Sequence, residues 1–403
     1  MKNCTMILML LASSLSIKAQ QGWWGAQLYR TDGGNITFTF EWKTENGKPV
    51  WYIRNAAERI KVSSIAINED SLFVQMPVFE SEFRLKKTGN KLSGVWMKNG
   101  TVKTQVIPFS ATFGGKRFAT NTAADKNITG RWAATFANSK TGELSVAEFK
   151  QTGNKLTGTF LNATGDYRYL EGIAAKDSLF LSGFDGGHAF LFTAKIENNQ
   201  TITNGLFYSG GTYKENWNAV KDAGAKVPTE SVEMFVKPGE ESLHFTFNDL
   251  AGKPVSIGDE RFKNKVVVIQ IMGSWCPNCM DETAFLSAYY NQNKQRGFEV
   301  IALAYEYTTN LERSTKSLQK FQTRYNVQYS ILNTGVTVGD SLRTEKTLPE
   351  LTPIKFFPSS VIIDKKGKIR KLDTGFNGPG TGEYYLVYKK EFEDLIDKLL
   401  LEK

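Results

Sequence analysis

The stretch "VVVIQIMGSWCPNCMDETAFL", residues 266–286, decides how the second half of this chain folds. Residues 266–273 form a continuous apolar run of strand length, which suits a central strand covered on both faces. Cys276 and Cys279 follow, two residues apart. From Asp281 onward the apolar residues fall at helical spacing, and the pattern stops at Gly297. The cysteine pair has three readings: a redox couple, half of a metal site, or a structural clip. A clip is a poor explanation, because so short a loop barely restricts the unfolded chain. A metal site needs two further ligands, and none is close by; the chain's two histidines, His188 and His244, lie far apart. His188 follows Gly-Gly in a strand pattern and reads as an ordinary surface or core residue. No metal and no cofactor are expected.

Downstream, "FEVIALAYEY" (298–307) is the next buried strand and "NLERSTKSLQKFQTRYN" (310–326) an amphipathic helix. "PSSVIIDKKGKIRKLDTG" (358–375) is a strand, a turn and a strand, and residues 383–403 close as a helix. Residues 239–403 therefore predict an α/β domain with a mixed sheet. Residues 222–238 are polar, carry Pro228 and Pro238, and read as a linker.

The first half repeats itself. "GWWGAQL" at Gly22 matches "GRWAATF" at Gly130 in character, and "DSLF" occurs at Asp70 and again at Asp177. "TGNKL" occurs in both halves of this region. Short runs such as "ITFTFEW" alternate apolar and polar residues, and turns such as "TENGK" suit tight hairpins. The expectation is two duplicated antiparallel all-β units, residues 20–116 and 129–221, each closed as a small barrel or sandwich. Their tryptophans are expected to fill cores.

At 403 residues the chain has room for about three domains, and 41% apolar with 23% charged residues is an ordinary globular balance. Residues 1–19 have a basic start, a ten-residue apolar run and small residues up to Ala19, the layout of a secretory signal peptide. Cys4 lies ahead of that run, so it cannot carry a lipid, and it leaves with the signal. The predicted address is the periplasm or cell envelope, with no transmembrane helix. The net charge of +9 is scattered among acidic residues. That excludes a case for nucleic acid and leaves a peripheral attraction to anionic membrane surfaces.

On these residues, 239–403 resembles the TlpA/ResA-type thiol-disulfide oxidoreductases, exported members of the thioredoxin fold within the redoxin group. "FTFNDLAGKPVSIGDERFKNKVVVIQIMGSWCPNC" (245–279) is similar to that family's opening segment, first central strand and Trp-Cys-x-x-Cys. "FFPSSVIIDKKGKI" (356–369) is similar to its cis-proline segment. The N-terminal half carries no such resemblance. The resemblance implies a redox disulfide between Cys276 and Cys279. Cys276, at a helix start, would be the attacking thiolate and Cys279 the resolving thiol. Glu282 would be the proton acceptor for Cys279, with Gln270 standing where cytosolic thioredoxins bury an acid. Pro358 would be cis, and Trp275, Phe357, Pro358 and Ser359 would meet substrate. The family commonly has proline directly before the second cysteine; here Pro277 follows the first and Asn278 precedes the second, a pair that tunes the potential. Residues 336–356 are expected to shape the substrate groove.

The resemblance implies an exported reductase of disulfide-bearing envelope proteins, with the cysteines of apocytochrome c as one candidate substrate and a membrane electron donor as partner. Two alternatives stand beside it. One is a peroxiredoxin-like thiol peroxidase, although Gly273 and Ile269 occupy the places where such enzymes carry Thr and Pro. The other is a non-catalytic envelope-binding protein.

Overall fold

A computed structural model describes residues 20–101, 103–137, 144–228 and 233–402. The expected signal segment, residues 1–19, lies outside the described residues. Among the described residues the chain builds two β-rich, barrel-like sheets followed by a mixed sheet with helices.

The first sheet contains β1 (Gly22–Leu28), β2 (Ile36–Glu45), β3 (Lys48–Asn55), β4 (Glu58–Val62), β5 (Ser64–Asn68), β6 (Ser71–Gln75), β7 (Ser81–Thr88), β8 (Lys91–Asn99) and β9 (Thr104–Phe113). Its order is β4-β3-β2-β1-β9-β8-β7-β6-β5, antiparallel throughout, with β4 and β5 as edges. Period-2 patterning sets the faces: Ile36, Phe38, Phe40 and Trp42 of β2 are all buried. The interior is aromatic, with Phe40 stacked on Trp51 at 4.1 Å and Trp24, Trp42 and Trp96 enclosed beside them. Each enclosed tryptophan hides about 200 Å² from water, worth roughly 5 kcal/mol against the unfolded chain.

The second sheet contains β10 (Gly130–Phe136), β11 (Leu144–Thr152), β12 (Lys155–Asn162), β13 (Gly165–Asp166), β14 (Leu170–Ala175), β15 (Ser178–Phe184), β16 (Ala189–Asn198), β17 (Thr201–Ser209) and β18 (Tyr213–Lys221). Its order is β11-β10-β18-β17-β16-β15-β14-β12-β13, and β11 also pairs with β12, so the ladder closes on itself. β13 is a short appendage on β12, outside the ring. The two sheets share packing: Phe184 of β15 enters the first core and stacks on Phe38 at 4.2 Å. Buried Arg117 donates to the Ser182 carbonyl at 3.0 Å, and Asn55 to the Phe184 carbonyl at 2.8 Å.

The third sheet holds β19 (Thr246–Asp249), β20 (Pro254–Ser256), β21 (Val266–Met272), β22 (Phe298–Ala304), β23 (Ser330–Asn333), β24 (Ser359–Ile363) and β25 (Ile369–Thr374), in the order β20-β19-β23-β22-β21-β24-β25. β21, β22 and β23 run parallel and β24 is antiparallel to β21, which is the mixed sheet of a thioredoxin fold. α1 (Pro277–Asn293) follows β21, α2 (Leu311–Tyr325) follows β22, α3 (Arg343–Thr347) is a single short helix, and α4 (Glu383–Leu401) ends the domain. Every residue of β21 is buried, as its apolar run requires. Residues 336–356 pack on the face of this sheet away from the cysteines, where Leu348, Leu351 and Ile354 are enclosed with Tyr305. Of the segment expected to shape the groove, Leu348, Leu351 and Ile354 thus fill this core, while Arg343 lies over the Phe357 ring at 5.9 Å. The β half also reaches into the redox domain: Val78 and Phe79, between β6 and β7, belong to the same apolar cluster as Cys276, Cys279 and Phe285. No helix among the described residues is long and apolar enough to cross a membrane.

Candidate functional site

α1 begins where the local sequence demands it. Pro277 occupies the first helical position, where its missing N–H costs nothing, and Cys276 is the N-cap with extended backbone. Cys276 and Cys279 are joined as a disulfide, their Cα atoms 5.2 Å apart. The Cys279 N–H donates to the Cys276 sulfur at 3.2 Å, so that sulfur sits among the unpaired amides of the helix start. Cys279 is fully buried and Cys276 only 3% exposed.

The turn ahead of the couple is tied to β22's end. The backbone and hydroxyl of Ser274 donate to the two oxygens of Glu306, at 2.8 and 2.6 Å. Burial pushes the Glu306 carboxyl upward. The Trp275 indole donates to the Tyr305 carbonyl at 2.8 Å, stacks on Tyr307 at 5.2 Å and meets Phe357 edge-on at 5.5 Å. Phe357-Pro358 is a cis bond.

Behind the couple, Glu282 is 1% exposed and accepts from the Gln270 amide at 2.8 Å; Gln270 in turn accepts from Thr283 at 3.1 Å. Burial raises the Glu282 carboxyl to about 8. It is a buried acid that stays protonated at neutral pH and can exchange a proton near it.

Of the residues named from sequence, Trp275, Cys276, Pro277, Asn278 and Phe357 line one cavity of about 220 Å³. Cys279, Glu282 and Gln270 sit behind it. Pro358 is buried, and Ser359, 2% exposed, spends its hydroxyl on the Phe356 carbonyl at 2.9 Å, so neither lines the cavity. The opposite wall comes from the second sheet: Tyr167, Arg168, Tyr169, Asp185, His188 and Phe190. Sequence reasoning left His188 as an ordinary residue; it flanks the cavity, its ring 3.3 Å from Asp185.

Two contacts hold that wall in place. The Asn278 side-chain amide faces the backbone of Asp166; turned so that both its groups are satisfied, its nitrogen donates to the carbonyl at 3.0 Å and its oxygen accepts from the N–H at 2.7 Å. The Asp166 carboxylate accepts from the Gly378 N–H at 2.7 Å; burial and nearby Asp281 raise that carboxyl to about 7. Arg168 is the second contact. Its guanidinium reaches Asp281 of α1 at 2.9 Å, Glu58 of β4 at 2.7 Å and Asp185 at 3.5 Å, joining all three sheets. Burial raises both the Glu58 and the Asp281 carboxyls, and Arg168 works against that rise. A separate bridge ties the first sheet to α2, from Glu80 to Arg313 at 2.8 Å. Nothing read from the sequence foretold these contacts; glycines mark them in three dimensions, since a Cβ at Gly165 would collide with Asn278, and Cβ atoms at Gly375 and Gly380 would meet the backbones of Thr164 and Arg168.

Residues 223–386 match the Redoxin family. Among curated proteins the chain is similar to the thiol-disulfide oxidoreductase ResA of Bacillus cereus, 28% identical over 140 residues, covering 34% of this chain and 70% of that protein. ResA of Bacillus subtilis is 24% identical over 140 residues, covering 35% and 69%. Among solved structures, a thiol-disulfide oxidoreductase from Bacteroides fragilis aligns over 38% of this chain and 99% of its own, at 17% identity and a TM-score of 0.29. A thioredoxin-family thiol:disulfide interchange protein from Chlorobium tepidum aligns over 40% and 95%, at 17% identity and a TM-score of 0.29. The C-terminal part of this chain is thus TlpA/ResA-like, and the activity it carries is that of a thiol-disulfide oxidoreductase.

Proposed function

We propose that this thiol-disulfide oxidoreductase is an exported reductase of disulfides in cell-envelope proteins, working through the Cys276/Cys279 couple. The observation that carries the reading is the placement of the Cys276 sulfur at the N-cap of α1, accepting from the Cys279 N–H at 3.2 Å, with Glu282 buried behind it. Helix-start amides favour the thiolate, against the opposing effect of burial. In the reduced enzyme Cys276 attacks a substrate sulfur and forms a mixed disulfide. The fraction of Glu282 that is ionised as pH approaches its raised pKa of about 8 takes the proton from Cys279, whose thiolate attacks Cys276 and releases the substrate's second thiol. Two electrons have passed to the substrate, and the couple is left as its disulfide. A membrane dithiol donor then has to reduce it again, because the compartment is oxidising.

Export rests on the reading of residues 1–19. We also infer that the two β-rich sheets arose from duplicated units. β1 and β10 both open on a glycine with positive φ, Gly22 at 131° and Gly130 at 124°, and residues Glu69 and Lys176, just before the two "DSLF" copies, have φ of 52° and 50°. The "TGNK" turns do not correspond, since one joins β7 to β8 and the other β11 to β12.

The test is a pair of substitutions. Cys279→Ser should trap a mixed disulfide with substrate at Cys276, and Cys276→Ser should abolish both trapping and turnover. Trapping that survives Cys276→Ser would overturn the assignment. Equilibration with glutathione gives the direction: a potential near −270 mV supports reduction, and one near about −120 mV would reverse it.

A further inference from the structure

The redox couple of this chain faces the second β sheet of the same chain. Cys276 is 3% exposed, and sharing the cavity it lines are residues from the end of β12 to Tyr169 and from the β15–β16 turn. We propose that the second sheet is the substrate-selecting wall of the active site, and that the cleft it forms with Trp275 and Phe357 admits a disulfide carried on a small molecule or on an extended segment, while excluding folded protein surfaces. The inference deepens the proposed function and rests on Cys276 being the attacking sulfur.

Three independent features make this wall a built surface. The first is close approach. Gly165, with φ of 144°, lets the segment's backbone lie against Asn278, and Gly375 and Gly380 let the redox domain's backbone lie against Thr164 and Arg168. Side chains at these positions would force the two apart. The second is polar matching: Asn278 pairs both of its amide groups with the backbone of Asp166, as a neighbouring strand would. The third is the Arg168 ion pairs with Asp281 and Glu58, which lie on two other sheets' elements.

The space that remains defines the ligand. About 220 Å³ is the volume of a few heavy-atom groups, and it is bounded by the rings of Tyr167, Tyr169, Phe190, Trp275 and Phe357. An extended chain two residues long fits it; the flank of a folded domain does not. Glu58, Asp166, Arg168, Asp185 and His188 stand among these rings, so the cleft offers polar as well as apolar partners. The chemistry is balanced: the Cys276/Cys279 dithiol plus R–S–S–R gives two R–SH and the Cys276–Cys279 disulfide, and dithiothreitol supplies the starting dithiol before the assay.

The experiment uses the full chain, reduced and freed of dithiothreitol, in single-turnover reactions with three oxidants. These are hydroxyethyl disulfide, a short unstructured peptide with one internal disulfide, and insulin. Hydroxyethyl disulfide and the peptide distinguish a small-molecule source from an extended-chain source. Whichever is faster, insulin should lag the faster one by at least about tenfold, the toll of a cleft that must open to one part in ten. Gly165→Val, which pushes the wall off Asn278, should raise the insulin rate severalfold relative to the hydroxyethyl disulfide rate. Because that variant can misfold locally, the wild-type protein is also alkylated with N-ethylmaleimide and with a maleimide on a 5-kDa polyethylene glycol. Cys276 should discriminate between the two reagents at least about tenfold more than a free peptide thiol does. Equal rates for all three oxidants, or equal discrimination by Cys276 and the peptide thiol, would remove the selecting wall while leaving the couple as the redox site. Failure to reduce any of the three would instead sink the reading of the couple itself, and this proposal with it.

Discussion

Glu282→Gln separates the two things a buried acid does here, and the structure sets the size of both. The carboxyl is 1% exposed, has one amide donor, Gln270 at 2.8 Å, and titrates near 8 where an ordinary glutamate titrates near 4.5. A group whose folded pKa is raised contributes its stability below the unfolded pKa and loses it as pH climbs through the folded one. Between pH 4.5 and 8 the wild-type redox domain should therefore lose about 1.4 kcal/mol per pH unit, roughly 5 kcal/mol in all, before levelling off. Glutamine has the same shape and no charge to desolvate, so the variant should lose none of it. The assay is hydrogen exchange of peptides spanning β21 and α1, in the oxidised protein, where neither cysteine titrates. Comparing variant with wild type at the same pH cancels the intrinsic exchange rate. The ratio of protection should be small at pH 5 and grow about tenfold per unit toward pH 8. In the reduced enzyme the same change removes the proton acceptor, so release of the mixed disulfide should slow by about a hundredfold. Its rise through pH 8 should also disappear. A protection ratio that stays flat from pH 5 to 8 would refute the burial argument; a release rate that keeps its wild-type pH profile would refute the proton-transfer role.

Three further perturbations test the frame around the couple. Arg168→Met leaves Glu58 and Asp281 buried without their cation, so urea unfolding at pH 8 should show a loss of about 3–5 kcal/mol. Both carboxyls already have raised pKa values and would rise further, so they are neutral in acid; the loss should shrink toward pH 5, and an equal loss at both pH values would contradict the ion-pair account. Asn278→Ala strips two hydrogen bonds from the buried backbone of Asp166 and should cost about 2–4 kcal/mol of docking, seen as faster exchange confined to residues 162–169. Trp51→Ala opens a void against Phe40 and Trp42 and should lower stability by about 3–5 kcal/mol in urea, while the alkylation rate of reduced Cys276 stays unchanged.

What could be read in advance was what the chain encodes locally. The β21 run, Pro277 behind a capping cysteine, the Asp364–Gly367 turn between β24 and β25, and the alternation along β2 each declare an element within ten residues. Closure of the second sheet through β11 and β12 followed from the same alternation only as a class of fold, since pairing partners are not written in period-2 patterning. The cover over the couple was invisible for a different reason. Arg168 and Asp281 are 113 positions apart, and neither stands in a motif; an arginine after Asp-Tyr reads as a solvated turn residue. Val78 and Phe79 look like the end of a β run, yet they pack with the redox core. Such contacts depend on how finished units dock, and the isolated glycines at 165, 375 and 380 are legible as close approaches only once the partners are known.

The pair between the cysteines now has a physical reading. The resemblance to TlpA/ResA-type enzymes leads one to expect proline directly ahead of Cys279. Here proline has moved to the first helical position, and Asn278 spends its amide on Asp166 of the second sheet. The residue best placed to tune the potential is thus also the residue that docks the wall. Linkage makes the two inseparable: if docking is tenfold stronger in one redox state than in the other, the potential of the couple must shift by about 30 mV in favour of that state. Asn278→Ala breaks this link at its only side chain between the cysteines. A wild-type potential that equals the variant's would mean that the wall grips both states equally. Any difference measures, in millivolts, how much of this chain's redox poise is set by the β half that covers it.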